Sequence, residues 1–157
     1  MLIPIGYILF YITLLLLCAI ISIFIHEIFH FIFFKYAGLV ITELRIFIFS
    51  WRFENNTVKF RFFNGLSGGS CSCVINSQSP KNRLYLAIIM GGLGNLIFAL
   101  MLSCFYFIID DTTSSVWRFI EVQILVCIID VFYNLLNPKS DDWKLLKYVH
   151  EMKKVRR

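Results

Sequence analysis

Charge is scarce in this chain: only 16% of its 157 residues are Asp, Glu, Lys or Arg, against 59% hydrophobic and 17% aromatic. That balance is far from that of a water-soluble domain and excludes an extensive solvated surface. Histidine is scarcer still, with three in all, so any imidazole site has few residues to draw on. Neither a basic n-region nor a small-residue cleavage site marks the N-terminus, which argues against a removable signal peptide. No internal repeat or low-complexity tract is visible, which sets aside solenoids and linker arrays. The length suits one compact unit of a few membrane-spanning helices and leaves no room for a separate soluble catalytic domain. Any active site must then lie in or beside the bilayer.

A net charge of +5 raises the question of nucleic acid, but the basic residues are spread over segments that flank apolar runs and do not interleave with aromatics along one element. Topology explains them better, and no nucleic-acid partner is expected. Five cysteines are present. Cys18, Cys104 and Cys127 sit in apolar runs and read as small buried hydrophobes. Cys71 and Cys73 form a C-x-C too short for a zinc knuckle on its own and read as free thiols in a cytoplasmic loop, with metal binding or a redox pair as the alternative.

The whole chain, 1–157, reads as one unit, an all-α integral membrane protein of about three spans at about 2–36, 84–109 and 116–137. The first span ends at Gly38. Residues 41–63 alternate apolar and polar side chains around Glu54-Asn55-Asn56, the pattern of a membrane-associated β-hairpin loop with Ile46, Ile48 and Trp51 on its apolar face. Arg45, Arg52, Lys59 and Arg61 are then available to lipid headgroups. The Gly- and Ser-rich NGLSGGSCSC that follows reads as irregular. The second and third spans are separated by DDTTSS, and a basic tail, 143–157, closes the chain. Lysine and arginine concentrate in the first loop and the tail, so the positive-inside rule puts both in the cytoplasm and the N-terminus outside.

Within the first apolar run stand His26, Glu27 and His30 in the pattern H-E-x-x-H. Two histidines four apart on a helix project from one face and can share a zinc ion, while the glutamate between them can take a proton from water whose pKa the metal lowers. The bland reading is that these are satisfied polar groups between helices. An ionisable group at a membrane helix centre costs about 2.5–3.5 kcal/mol, which favours a functional reading. Zinc needs a third protein ligand. His150 lies in the basic tail; Asp130 in the third span and the pair Asp141 and Asp142 beyond it are better placed.

H-E-x-x-H in a first span followed by an N-x-x-P-like segment and Asp beyond a later one resembles the site-2 protease family of intramembrane zinc metalloproteases, here as a minimal three-span core. Gly91-Gly92-Leu93-Gly94-Asn95 is similar to the family's motif in its second core span, and Gly65 to Ser70 to its Gly-rich stretch. The family's N-x-x-P-x-x-x-x-D-G appears in altered form, as Asn134-Leu-Leu-Asn137-Pro138-Lys-Ser-Asp141-Asp142-Trp143, with proline one place late and no glycine after either aspartate. Counting from Asn134 selects Asp142; the downstream S-D-x-x-x-L-L alignment from Ser140 to Leu146 selects Asp141, the favoured reading. The resemblance implies Zn2+ held by His26, His30 and Asp141 (alternatively Asp142), with Glu27 as the catalytic residue. It further implies that Asn95 and Asn134 bind the substrate backbone, interhelical polar contact being the alternative. Asp130, one turn before Asn134, is a candidate to orient a ligand histidine.

The implied activity is hydrolysis of a peptide bond in or near a transmembrane segment of a membrane protein or peptide precursor. The implied partners are that substrate, the lipid bilayer and a regulatory membrane protein, with a bacterial cell membrane as the location. Two other readings compete. A metalloprotease with a soluble domain would need a third glutamate ligand, and Glu43, Glu54, Glu121 and Glu151 lie on no obvious ligand helix. A non-proteolytic metal-binding scaffold that retains the fold is the other.

Overall fold

The computed structural model describes residues 5–54, 57–62, 68–75, 81–108 and 115–151. Four helices and one small sheet appear in chain order. They are α1 (Ile5–Tyr36), β1 (Val40–Ile46), β2 (Phe49–Glu54), β3 (Thr57–Phe62), β4 (Gly69–Val74), α2 (Lys81–Ile108), α3 (Ser115–Leu136) and α4 (Asp141–Glu151). Three helical segments are long and apolar enough to cross a membrane. Asn55 and Asn56 at the expected hairpin turn, most of the DDTTSS segment and the last residues of the basic tail lie outside the described residues.

The burial pattern of α1 inverts that of a soluble amphipathic helix. Its buried residues are Leu14, Cys18, Ser22, His26, Glu27, His30 and Phe34. They recur mainly every fourth position, a single stripe along the helix. The stripe holds Ser22, His26, Glu27 and His30, while Leu9, Ile12, Leu16, Phe24 and Ile32 point outward and are exposed. A helix with apolar residues outside and polar ones against its neighbours is built for a surrounding at least as apolar as its interior. It ends at Gly38, whose φ of 78° suits a residue without Cβ. There Leu39 N–H donates to Phe34 C=O and Gly38 N–H to Lys35 C=O, both at 3.0 Å, the paired bonds that close a helix C-terminus.

Small residues bring α2 close. Ala87, Gly91, Gly92, Gly94 and Asn95 are all buried, and a Cβ at Gly94 would overlap the ring of Phe29 on α1, so the two backbones approach as only small side chains permit. Cys18 and Cys127 are buried, as expected, but Cys104 is exposed on the outer face of α2. Helix α3 stops at Leu136, two residues before Pro138, as the clash between a proline ring and the residue before it requires. Ser140 then caps α4: its Oγ accepts from Trp143 N–H at 3.2 Å and donates to the C=O of Asn134 at 2.8 Å, tying the new helix to the end of α3.

The loop after α1 is larger than the single hairpin expected over 41–63. It is a four-stranded antiparallel sheet in the order β3-β2-β1-β4. The pairing of β2 with β3, Glu54 opposite Thr57, sits where the turn was expected. A second, unexpected turn at Phe47 and Ile48 separates β1 from β2, and Phe47 adopts a left-handed φ of 57° there. The Gly- and Ser-rich segment, read as irregular, supplies β4, which pairs with β1 from Ile46–Gly69 to Val40–Val74. Small side chains do not prevent a strand when a neighbour satisfies its backbone.

Candidate metal centre

The stripe on α1 ends in His26 and His30, one turn apart, which puts both rings on the face covered by α2, α3 and α4. Their Nε2 atoms lie 3.0 Å from each other. The Asp142 carboxylate completes the triangle, Oδ2 3.2 Å from His26 Nε2 and Oδ1 3.0 Å from His30 Nε2. Residue 142 reaches them because the Ser140 cap starts α4 so that its first turn turns one side chain inward. Asp141, the favoured third ligand in the sequence, points the other way: its side chain is 87% exposed and pairs with Lys144 at 2.9 Å. The structure therefore reverses that preference and groups His26 and His30 with Asp142. Successive helical residues point about 100° apart, so only one of an adjacent pair can face the centre.

The far nitrogen of each ring is also engaged. His30 Nδ1 lies 3.0 Å from Ala87 C=O on α2, and a carbonyl only accepts, so Nδ1 carries the proton. His26 Nδ1 lies 3.2 Å from Asp130 Oδ2, the orienting part expected of Asp130. A neutral imidazole with one nitrogen protonated presents a lone pair on the other. Two Nε2 lone pairs and a carboxylate thus converge, all buried or nearly so. Three acceptors facing one another repel unless a cation joins them.

This arrangement suits a divalent metal. Tetrahedral zinc with ligands at about 2.0–2.1 Å spaces neighbouring ligand atoms about 3.3–3.4 Å apart, close to the separations here, and His, His and Asp are ordinary zinc ligands. Among the described residues, His26, His30 and Asp142 are the group able to hold such an ion.

Glu27 stands beside the cluster, buried, with no hydrogen-bond partner for Oε2. It fits because β4 presents glycine: a Cβ at Gly69 would collide with Glu27 Cγ and Oε1. Gly91 does the same for the histidines, since a Cβ there would fall 2.8 Å from His26 Nε2 and nearer still to His30 Nε2. Gly91→Ala is therefore expected to weaken metal binding by about tenfold or more, as disturbing the support of a ligand does. Gly92→Ala, whose Cβ would come no nearer than 3.4 Å to the Leu135 side chain, should leave it unchanged. Competition with a chromophoric chelator checks both.

A cavity of about 480 Å³ opens onto the cluster, walled by His26, Glu27, His30, Asp130, Asn134 and Asp142 together with Gly68 to Ser72. Asn134 thus lines the cavity beside the cluster. Asn95, expected to do the same, does not: its side chain is fully buried, and its amide donates to Asp130 Oδ2 at 2.6 Å and to Ser22 Oγ at 3.0 Å. The interhelical alternative describes it better. Sequence reasoning missed Ser22 and the Ala87 carbonyl, and took in Gly69 only as part of the Gly65 to Ser70 resemblance; Ser22 left a signal too, standing four residues before His26 on the same stripe.

His150 sits at the far end of α4, with Nδ1 3.5 Å from Tyr85 OH. Cys71 and Cys73 are free and half-buried in β4. Burial, and then the neighbouring Glu27 charge, push the Cys71 thiol above its usual range, which keeps it protonated at neutral pH.

No curated protein and no solved structure matches the chain. A model of peptidase family M50 matches residues 14–153, taking in both histidines, Glu27 and Asp142. This chain therefore belongs to peptidase family M50, the site-2 protease family.

Proposed function

We propose that the chain is an intramembrane zinc metalloendopeptidase that hydrolyses a peptide bond in or near a transmembrane segment of a membrane protein or peptide precursor. The observation that carries this reading is the convergence of His26 Nε2, His30 Nε2 and Asp142 on one point, with the unpartnered Glu27 Oε2 beside them. The inverted burial of α1 and the three apolar helices support a site inside a bilayer. The distribution of Lys and Arg supports an N-terminus outside and a cytoplasmic first loop and tail.

His26, His30 and Asp142 would hold the zinc ion. Bound there, zinc supplies Lewis acidity, polarising a carbonyl and easing deprotonation of water. Glu27 takes that proton and returns it to the departing amine, the work of a general base turned general acid. Asn134 on the cavity wall offers an amide to the substrate backbone. The histidines and Glu27 are buried among the helices, which strengthens each of these charge interactions relative to water.

A helical substrate hides its carbonyls in its own hydrogen bonds and must be unwound before attack. In the sheet after α1, β4 is the strand placed to hold the opened segment. It is an edge strand, and its first residues, Gly69 to Ser72, line the cavity. An extended substrate pairing with that edge would run past Glu27. Selection of one substrate then falls to the substrate itself or to a regulatory membrane protein.

Purified chain in liposomes with a panel of single-span substrates tests the proposal. Cleavage that stops with a zinc chelator and returns with added zinc is expected. A well-folded, zinc-loaded protein that cleaves nothing in the panel, while a soluble unfolded peptide is also left intact, would favour the scaffold reading.

A further inference from the structure

Asn95 is placed as no substrate-binding residue could be. Its side chain is fully buried between the three long helices, it is absent from the cavity wall, and both amide hydrogens are committed, to Asp130 on α3 and Ser22 on α1. Its own oxygen has no hydrogen-bond partner. The amide cannot be turned round, because a carboxylate oxygen at 2.6 Å accepts only from N–H. Asn95 therefore serves purely as a double donor, and the oxygen it holds, Asp130 Oδ2, is the same one that faces His26 Nδ1.

We infer that Asn95 is a positioning residue for the metal centre: with Ser22 it fixes Asp130, and Asp130 in turn fixes the ring and tautomer of His26. Ser22 and His26 come from α1, Asn95 from α2 and Asp130 from α3, so the hydrogen bonds Ser22–Asn95–Asp130 and the 3.2 Å approach of Asp130 Oδ2 to His26 Nδ1 link the packing of these three helices to the direction of one ligand lone pair. Without the amide, the Asp130 carboxylate loses the bond that chooses its rotamer, and Oδ2 is no longer held opposite Nδ1. His30 has a separate support in the Ala87 carbonyl. The chain therefore acts on His26 alone.

This inference rests on the zinc reading of the centre. The test is zinc affinity of the full-length, detergent-purified chain, measured by chelator competition, together with the visible absorption of the Co2+-loaded form. Four proteins are compared: wild type, Asn95→Leu (similar volume, no donors), Asp130→Ala and the double variant. Asn95→Leu is expected to weaken zinc binding about tenfold or more, the usual effect of removing a group that orients a ligand, and to shift the Co2+ spectrum. In the Asp130→Ala background the same change should alter affinity less than about twofold, because residues acting in series are not additive. Equal affinity of Asn95→Leu and wild type, or losses that simply add in the double variant, would overturn the positioning role while leaving the centre intact. A wild type that takes up no zinc would overturn the centre itself and this role with it. If Asn95→Leu does not fold, Ser22→Ala takes its place in the cycle. It should weaken zinc by a smaller factor, about threefold, since Asn95 keeps its bond to Asp130, and an unchanged affinity there counts against the role.

Discussion

Glu27→Gln is expected to bind zinc as tightly as the wild type and to cleave a reconstituted substrate about 10²–10⁴-fold more slowly, the contribution of a positioned general base. The substitution keeps the shape of a side chain packed against Gly69, so neither the fold nor the three metal-facing groups are disturbed. It removes the one buried carboxylate oxygen at the centre that has no hydrogen-bond partner and faces no ring nitrogen. An amide cannot accept and return a proton. Metal content, thermal stability and cleavage rate, measured on the same preparation, separate this from unfolding. Equal cleavage by the variant would show that another group moves the proton, and loss of zinc would show that Glu27 belongs among the ligands.

The neighbouring aspartates should behave oppositely. Asp142→Ala removes the carboxylate whose two oxygens lie 3.2 and 3.0 Å from the histidine nitrogens. Zinc affinity should fall by more than about 100-fold, beyond what loss of a merely supporting partner causes. Asp141→Ala breaks one exposed pair with Lys144, a type of contact worth about 0–1 kcal/mol, and zinc affinity should stay within about threefold of wild type. Chelator competition on the two variants side by side reads the difference. A larger loss with Asp141→Ala would mean that α4 docks in the other register.

That register marks the limit of the sequence. The H-E-x-x-H pattern is local, and helical periodicity alone places His26 and His30 together. The three apolar helices follow from length and composition, and Asp130 from its place one turn before Asn134. The choice between Asp141 and Asp142 depends instead on how Ser140 caps α4 against the end of α3, a tertiary contact that two alignments of the same residues could not resolve. With Asp142 as the ligand the missing glycine falls at Trp143, which lies in ordinary helix, and no special backbone angle is needed there.

The sheet shows the same limit from the other side. The turn at Glu54 to Thr57 carries the polar residues that mark turns, whereas the turn at Phe47 and Ile48 consists of residues that favour strands. Phe47 takes a left-handed conformation that usually goes to Gly or Asn, and its N–H donates to Gly68 C=O at 3.2 Å. The cost of the turn is offset from outside the local sequence. The two readings of Asn95 could not be separated for a related reason: its burial is set by glycines on α2 that let the helices meet, and a motif gives a residue's type and spacing but not which way it faces.

The central claim is that His26, His30 and Asp142 hold one zinc ion, and X-ray absorption at the zinc edge on the purified wild-type chain tests it most directly. The account predicts one zinc per chain with only nitrogen and oxygen neighbours at about 2.0–2.2 Å and scattering from two imidazole rings. A sulfur neighbour at about 2.3 Å would move the metal to Cys71 and Cys73, and a folded protein without zinc would contradict the account outright.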